Sequence, residues 1–104
     1  MPHVVYAPKL LSEIRLETLD VSPWVPAGVT LTYASGTAVV YSGVDPAPSV
    51  LVSVGVVSGT LTVNVLLSSA ALLGVIYNIS ITVTLSNSST VVLSGFLAVI
   101  PDSI

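Results

Sequence analysis

The sequence predicts an all-β protein, namely an antiparallel immunoglobulin-like β-sandwich of about seven strands with an extended N-terminal arm, and a small barrel is the alternative. Three observations predict this class: short β-branched segments recur, turn signals separate them at intervals of about eight to twelve residues, and no stretch keeps a helical period. A chain of 104 residues has room for one hydrophobic core. We therefore expect an arm at residues 1–12 and one sandwich domain at residues 13–104.

The N-terminal part of the chain is predicted to contain the arm and one charged strand. Residues 1–11 include two prolines and no sustained period, which is typical of an extended segment. Glu13, Arg15 and Glu17 then alternate with apolar residues, so residues 13–19 should form a strand with one solvated, charged face and one apolar face. A solvated face is favoured over an acid–base pair of carboxylates, because such a pair needs a cleft that separates the two pKa values.

Turn-forming residues divide the middle of the chain. Two prolines and a glycine follow the first strand and break ladder hydrogen bonding there. Residues 29–34 and 37–42 are predicted to be strands joined by a two-residue hairpin at Ser35 and Gly36. Residues 43–48, which contain two more prolines, are predicted to form a rigid loop between the sheets.

The second half of the chain is predicted to be built from strand pairs. Its segments have the β-branched residues and the turn residues that hairpins need. The predicted segments are a pair of strands at residues 50–57 and 60–67, a loop at residues 68–74, and a hairpin of residues 75–86 and 90–100 around Asn87, Ser88 and Ser89.

Charged residues are scarce and unevenly placed. They make up 7% of the chain, against about 25% in a typical soluble domain. Residues 46–101 contain none. We expect much of this uncharged half to be buried against other subunits, and the alternative is a surface of serine and threonine hydroxyls. The charged residues are Lys9, Glu13, Arg15, Glu17, Asp20, Asp45 and Asp102.

Composition also argues against several classes of partner. A net charge of −3 with two basic residues is a poor match for nucleic acid, which needs several cations on one face. The mean hydropathy of +1.01 raises the question of a membrane span within residues 61–85. However, apolar residues alternate there with Ser80, Thr82 and Thr84, which is a strand period. We therefore predict no nucleic acid and no membrane as partner, and the N-terminus predicts no signal peptide.

Few residues are suited to chemistry. The chain has one histidine, five carboxylates and no cysteine, which leaves no disulfide and no thiolate metal site. His3 lies in the predicted arm, where an exposed role is favoured over a catalytic or metal-binding one. Asp20 and Asp45 are expected to cap turns, because neither lies in a run of oxygen ligands for calcium. We predict a protein that is not an enzyme and that uses no cofactor, metal or small-molecule substrate.

Aromatic and apolar residues supply the candidate interface. The last predicted strand is apolar on both faces, so a neighbour is expected to cover one of them. Trp24 and Tyr77 are predicted to pack in the core with a polar atom bonded to the backbone, and an interface is the alternative for Trp24. The candidate interface residues are Val4, Val5, Tyr6, Trp24, Val92, Phe96, Ala98 and Ile100.

Four segments resemble a known group of proteins. They are residues 19–30 (LDVSPWVPAGVT), 41–46 (YSGVDP), 74–84 (GVIYNISITVT) and 94–99 (SGFLAV). Over residues 13–102 the chain resembles small structural proteins of tailed bacteriophages, of the tail-fibre adaptor or head–tail accessory type. The resemblance implies a subunit repeated at the head–tail or tail-fibre junction, in a virion assembled in the cytoplasm of a bacterial host. Its implied partners are other virion proteins and copies of itself.

Two other functions are compatible with the composition. A capsid decoration protein would have the same uncharged sheets, and composition does not separate it from an adaptor. A carbohydrate-binding or adhesive immunoglobulin-like module would need exposed aromatic residues on one face or loop. Aromatic residues are only 6% of this chain and do not cluster in the sequence, so this function ranks third.

Overall fold

The chain folds into two β-sheets, an all-β structure consistent with a β-sandwich. The computed structural model describes residues 6–57, 59–69 and 71–102, without the side chains of residues 49 and 50. The first sheet has the strand order β1-β7-β6-β3 and the second the order β2-β5-β4. The strands are β1 (Lys9–Leu10), β2 (Arg15–Asp20), β3 (Leu31–Ser42), β4 (Val52–Val56), β5 (Thr62–Leu67), β6 (Ile76–Leu85) and β7 (Thr90–Ile100).

Helical structure is limited to two short 3₁₀ segments, Ser22–Trp24 and Pro48–Leu51, in the part of the chain that the structure describes. Each begins with a proline in its first turn, where the missing backbone N–H needs no partner. No helix of the described residues is long and apolar enough to cross a membrane. Segment 61–85 instead forms strands β5 and β6, as its alternation predicts.

The core lies between the two sheets and follows the two-residue period of the strands. Every second residue of β6, from Tyr77 to Leu85, is buried, and the residues between them are half-buried. Val63, Val65 and Leu67 of β5 face this row from the other sheet and are fully buried. Burying a side chain of this size stabilises the fold by about 1.5–3 kcal/mol, so these two central strands hold the sheets together.

The predicted strand pairs of the second half are confirmed. Strands β6 and β7 form an antiparallel hairpin whose register runs from Ile76 opposite Ala98 to Thr84 opposite Thr90. In the turn, Asn87 Oδ1 accepts a hydrogen bond of 3.0 Å from the backbone N–H of Ser89. Strands β4 and β5 also pair antiparallel. Local turn chemistry therefore sets the connection between β6 and β7.

The predicted hairpin at Ser35 and Gly36 is wrong. Strand β3 runs without interruption through both residues and pairs along its length with β6. Gly36 serves a different purpose, because a Cβ atom there would overlap Val54 Cγ2 of the facing sheet and lie 3.2 Å from Ile81 Cδ1. The glycine allows the close approach of β4 to β3, which is the other common role of glycine in a strand.

The predicted orientation of the first strand is also wrong. Arg15 and Glu17 pair with the buried residues Leu67 and Val65, so their side chains lie on the inner side of the sheet. These two side chains are 16% and 31% exposed, whereas the apolar Leu16 is 59% exposed. The strand is amphipathic, but its apolar face points outward. The reason is that the preceding segment of the chain covers the charged side chains and binds them.

That preceding segment adds a short parallel strand. Lys9 and Leu10 of β1 pair with Val99 and Ile100 of β7. Tyr6 is 7% exposed and packs in the core, and Lys9 is fully buried. Residues 6–12, which the sequence assigns to the arm, thus pack along the edge of the two sheets.

The close approach of β3 and β4 at Gly36 can be tested by substitution. We expect Gly36→Ala to lower the free energy of unfolding by about 1–3 kcal/mol, because the added methyl group pushes Val54 and its strand β4 away from β3. Gly55→Ala is the matched control, since a Cβ atom at Gly55 of β4 meets no atom within 4 Å. Urea denaturation measures both variants. Equal losses at the two positions would show that Gly36 has no packing role.

Candidate functional site

All seven charged side chains make hydrogen bonds within the protein, and six of them lie at one edge. This charged edge is formed by β1, β2 and the chain segments that adjoin them. Strands β3 to β7 contain no charged residue, so the outer faces of both sheets have little charge of their own. The six residues of the charged edge are Lys9, Glu13, Arg15, Glu17, Asp20 and Asp102.

Arg15 is the centre of the charged edge. Its guanidinium donates to the backbone oxygens of Ala7 and Pro8 at 2.7 and 2.8 Å. It also lies 2.9 Å from Glu13 Oε1 and 3.5 Å from Glu17 Oε1. The hydrogen bond from Arg15 lowers the pKa of Glu13 below its usual value and raises that of Arg15. The network fixes residues 7 and 8 on the inner side of β2.

Lys9 and Asp102 fix the rest of this segment. The ammonium of Lys9 donates to the backbone oxygens of Leu10 and Leu11 at 2.9 and 3.2 Å, and burial lowers its pKa. Asp102 accepts hydrogen bonds from the backbone N–H and the hydroxyl of Ser12 at 2.9 and 2.7 Å, which lower its pKa. These hydrogen bonds thus hold residues 9–12 in place.

The remaining charge, Asp45, is part of a partly buried hydrogen-bonded group around Tyr77. The hydroxyl of Tyr77 donates to Asp45 Oδ2 at 2.6 Å and accepts from the backbone N–H of Leu72 at 2.9 Å. Asp45 Oδ1 also accepts from the N–H of Ala47, which confirms the predicted turn cap, and Asp20 caps a turn at Ser22 in the same way. The predicted packing role of Tyr77, with a backbone partner, is confirmed.

The outer face of the four-stranded sheet contains an apolar patch. The rings of Tyr41 and Phe96 meet edge to face, with centroids 4.7 Å apart. They are 66% and 53% exposed. Strand register places Val39, Asn78 and Phe96 side by side across β3, β6 and β7. This outer patch consists of Val39, Tyr41, Ile76, Phe96, Ala98 and Ile100.

The outer patch contains part of the predicted interface. Four of the predicted interface residues share the outer face of β7, as their alternation predicts: Val92, Phe96, Ala98 and Ile100. Val92 lies near the start of the strand, outside the outer patch. The contribution of β3 was not predicted from the sequence, because the strand with Val39 and Tyr41 was paired with residues 29–34 instead of with β6. Their alternation with Ala38 and Val40 is the signal that could have placed them.

The other predicted interface residues lie elsewhere. Trp24 is in the connection between β2 and β3 and is 41% exposed, so its predicted core packing is wrong. It lies outside both sheets, at the end of a three-residue 3₁₀ helix. Tyr6 is buried among the protein's own residues. Val4 and Val5 lie outside the described residues.

Two further features complete the surface. Ile14, Leu16 and Leu66 form a smaller exposed apolar cluster on the outer side of the three-stranded sheet. A groove of about 540 Å³ lies between residues 28–31 and 59–61, and its lining of glycine, valine, threonine and leucine contains no titratable group. Within the described residues, no group of three or more His, Asp or Glu side chains could hold a metal ion.

Comparison with known proteins gives no assignment. No protein-family model matches the chain, and no curated protein is significantly similar to it. The function is therefore inferred from the sequence and the surface alone.

The bonds of Tyr77 make a testable contribution to stability. We expect Tyr77→Phe to lower the free energy of unfolding by about 1–3 kcal/mol, because it leaves Asp45 Oδ2 and the N–H of Leu72 without this partner. Tyr33→Phe is the control, since Tyr33 is 63% exposed, and its change should stay within about 0.5 kcal/mol. Chemical denaturation at neutral pH makes the comparison. A Tyr77 variant as stable as the control would contradict the structural role.

Stability should also decrease at alkaline pH. Burial raises the pKa of Tyr6 and of Tyr77 to about 12, against a reference value of 10.0 for the unfolded chain. Between these values the unfolded chain releases protons that the folded protein retains, so unfolding becomes easier as pH rises. This stabilisation is complete below about pH 10 and is lost as the pH passes about 12. The double variant Tyr6→Phe and Tyr77→Phe, measured by denaturation over this range, should show a shallower decline than the natural protein.

Proposed function

We propose that this protein is a structural subunit of a tailed-bacteriophage virion, which acts at the head–tail or tail-fibre junction by binding copies of itself and other virion proteins. The observation that carries the proposal of an assembly subunit is the outer patch, an exposed aromatic pair on a sheet face without charge. The phage setting rests on the sequence resemblance of residues 13–102. Under this proposal the protein has no catalytic role.

The surface chemistry favours binding to protein. Interface centres are enriched in aromatic residues and depleted of charge, and Tyr and Trp are frequent among the residues that dominate binding energy. The outer patch has this composition, with Tyr41 and Phe96 at its centre. Asn78 lies between Val39 and Phe96, and its amide oxygen is buried without a partner in the described structure. Such a surface is better suited to burial against another protein than to permanent contact with water.

We also infer that the fold is immunoglobulin-like in its strand order. Taken as strands B to G of that fold, β2 to β7 give one sheet with the order B-E-D and one with the order C-F-G, as the immunoglobulin fold requires. A tyrosine near the start of strand F that hydrogen-bonds to the backbone a few residues upstream is a further feature of this fold. Tyr77 has this position and bonds to Leu72.

The outer patch gives the test of the proposal. We expect Phe96→Lys to reduce incorporation into particles at least tenfold, because it places a charge at the centre of the contact. Thr90→Lys is the matched control, since Thr90 is exposed at the far end of the same strand and face. Quantitative mass spectrometry of purified particles measures incorporation, and denaturation checks that both variants fold.

The outcomes are distinct. Absence of the natural protein from purified particles would overturn the proposed function. Normal incorporation of Phe96→Lys would exclude the outer patch as the contact. The copy number separates the two virion roles, because few copies per particle fit a junction subunit, whereas a number close to that of the shell protein fits capsid decoration.

A further inference from the structure

Strand β3 is unlike the other strands at the sheet edges. Edge strands of soluble proteins are usually short, charged or covered, because an open edge can pair with another chain. Strand β1 has two residues and β4 has five, and β2 has charged side chains that bind the segment before it. Strand β3 has 12 residues and contains no charged residue and no proline. Strand β3 is thus neither short nor charged.

The free side of β3 has regular geometry over most of its length. Among the described residues, β3 is hydrogen-bonded along one side only, to β6. Its two register irregularities lie near its ends, between Leu31 and Tyr33 and between Val40 and Ser42. Residues 33–40 between them keep a continuous register. In an antiparallel ladder this stretch can make about eight further backbone hydrogen bonds.

The side of the molecule that contains β3 is almost without charge. Strands β3 and β4 lie at the same side of the two sheets, where Gly36 approaches Val54. Asp45 is the single charged residue between residues 31 and 57, and its two oxygens are bonded to Tyr77 and Ala47. The other six charges lie at the charged edge on the opposite side.

We propose that β3 pairs antiparallel with β3 of a second copy of this chain, so that the two four-stranded sheets join into one. The pairing rests on the proposed role as an assembly subunit and specifies how copies of the chain bind each other. A two-fold axis perpendicular to the sheet passes close to Thr37. A register centred on Thr37 keeps outer-face residues opposite outer-face residues, as strand pairing requires.

Charge and size favour a second copy of this chain as the partner of β3. Two molecules that each have a net charge of −3 repel least when their neutral sides meet. Residues 33–40 extend over about 26 Å, more than half of the longest dimension of 47 Å, so the contact follows the long side of the molecule. About eight backbone hydrogen bonds also fall within the number that such interfaces contain.

The test is the oligomeric state of the full chain, measured by analytical ultracentrifugation over a range of concentrations. We expect a dimer for the natural protein. Thr37→Lys should weaken dimerisation at least tenfold, because the two lysines would face each other across the axis, where like charges are destabilising. Thr90→Lys adds the same charge to the same face, two strands away, and should leave the dimer intact. Unfolding curves confirm that both variants fold.

A charge exchange makes the test specific for self-pairing. Thr37→Asp alone should also be monomeric, whereas a mixture of Thr37→Lys and Thr37→Asp should restore the dimer. Hydrogen exchange of the natural protein adds a readout that needs no variant, since the amides in residues 33–40 should become more protected as the concentration rises.

Three results would overturn the pairing. They are a natural protein that stays monomeric at the highest concentration, a dimer that Thr37→Lys does not weaken, and protection of residues 33–40 only when another virion protein is added. None of these results bears on whether the natural protein is present in purified particles, so the incorporation experiment tests the proposed function separately.

Discussion

The hydrogen bonds of the charged edge are the constraint on which the rest of the surface depends. Arg15 binds the backbone of residues 7 and 8, and Asp102 binds Ser12, so residues 6–12 are fixed along the edge of the two sheets. Because hydrogen bonds to charged groups are stronger than neutral ones, a few charges suffice for this. The consequence is a molecule whose charges stabilise its own fold and leave the other surfaces neutral.

The interior is built on a simpler rule. Strands β5 and β6 alternate between buried and less buried residues, and their buried rows face each other. Tyr77 adds a polar element to this core, because its hydroxyl joins the loop of Asp45 to the backbone at Leu72. A buried hydroxyl with both partners in place fixes two loops at once. The hydrogen bonds of Tyr77 therefore fix the start of β6 and, with it, the position of Ile76 in the outer patch.

The sequence predicts the fold correctly where the determinant is local and incorrectly where it is long-range. The hairpin of β6 and β7 follows from the turn residues at 87–89, and the shared face of Val92, Phe96 and Ala98 follows from a period of two. Gly36 has the same local signature as a turn glycine, and only the approach of Val54 from the other sheet shows its purpose. Which face of β2 points inward could not be predicted either, since the alternation of residues does not show which face another segment of the chain will cover. For the same reason Tyr41 was not placed beside Phe96.

The differences between the sheet edges determine what kind of assembly this surface can form. An isologous contact through β3 uses the same strand of both copies, so it closes on itself and leaves no β3 edge free. At the far side of the joined sheet, β1 offers two residues and the charged edge, which do not support further pairing. Growth by strand addition therefore stops at two copies. The joined sheet then presents two outer patches on one face, and two linked contacts bind a repeated partner far more tightly than one when the partner's spacing matches. An open edge that is an aggregation hazard in a solitary domain becomes, in this arrangement, the element that makes the subunit bivalent.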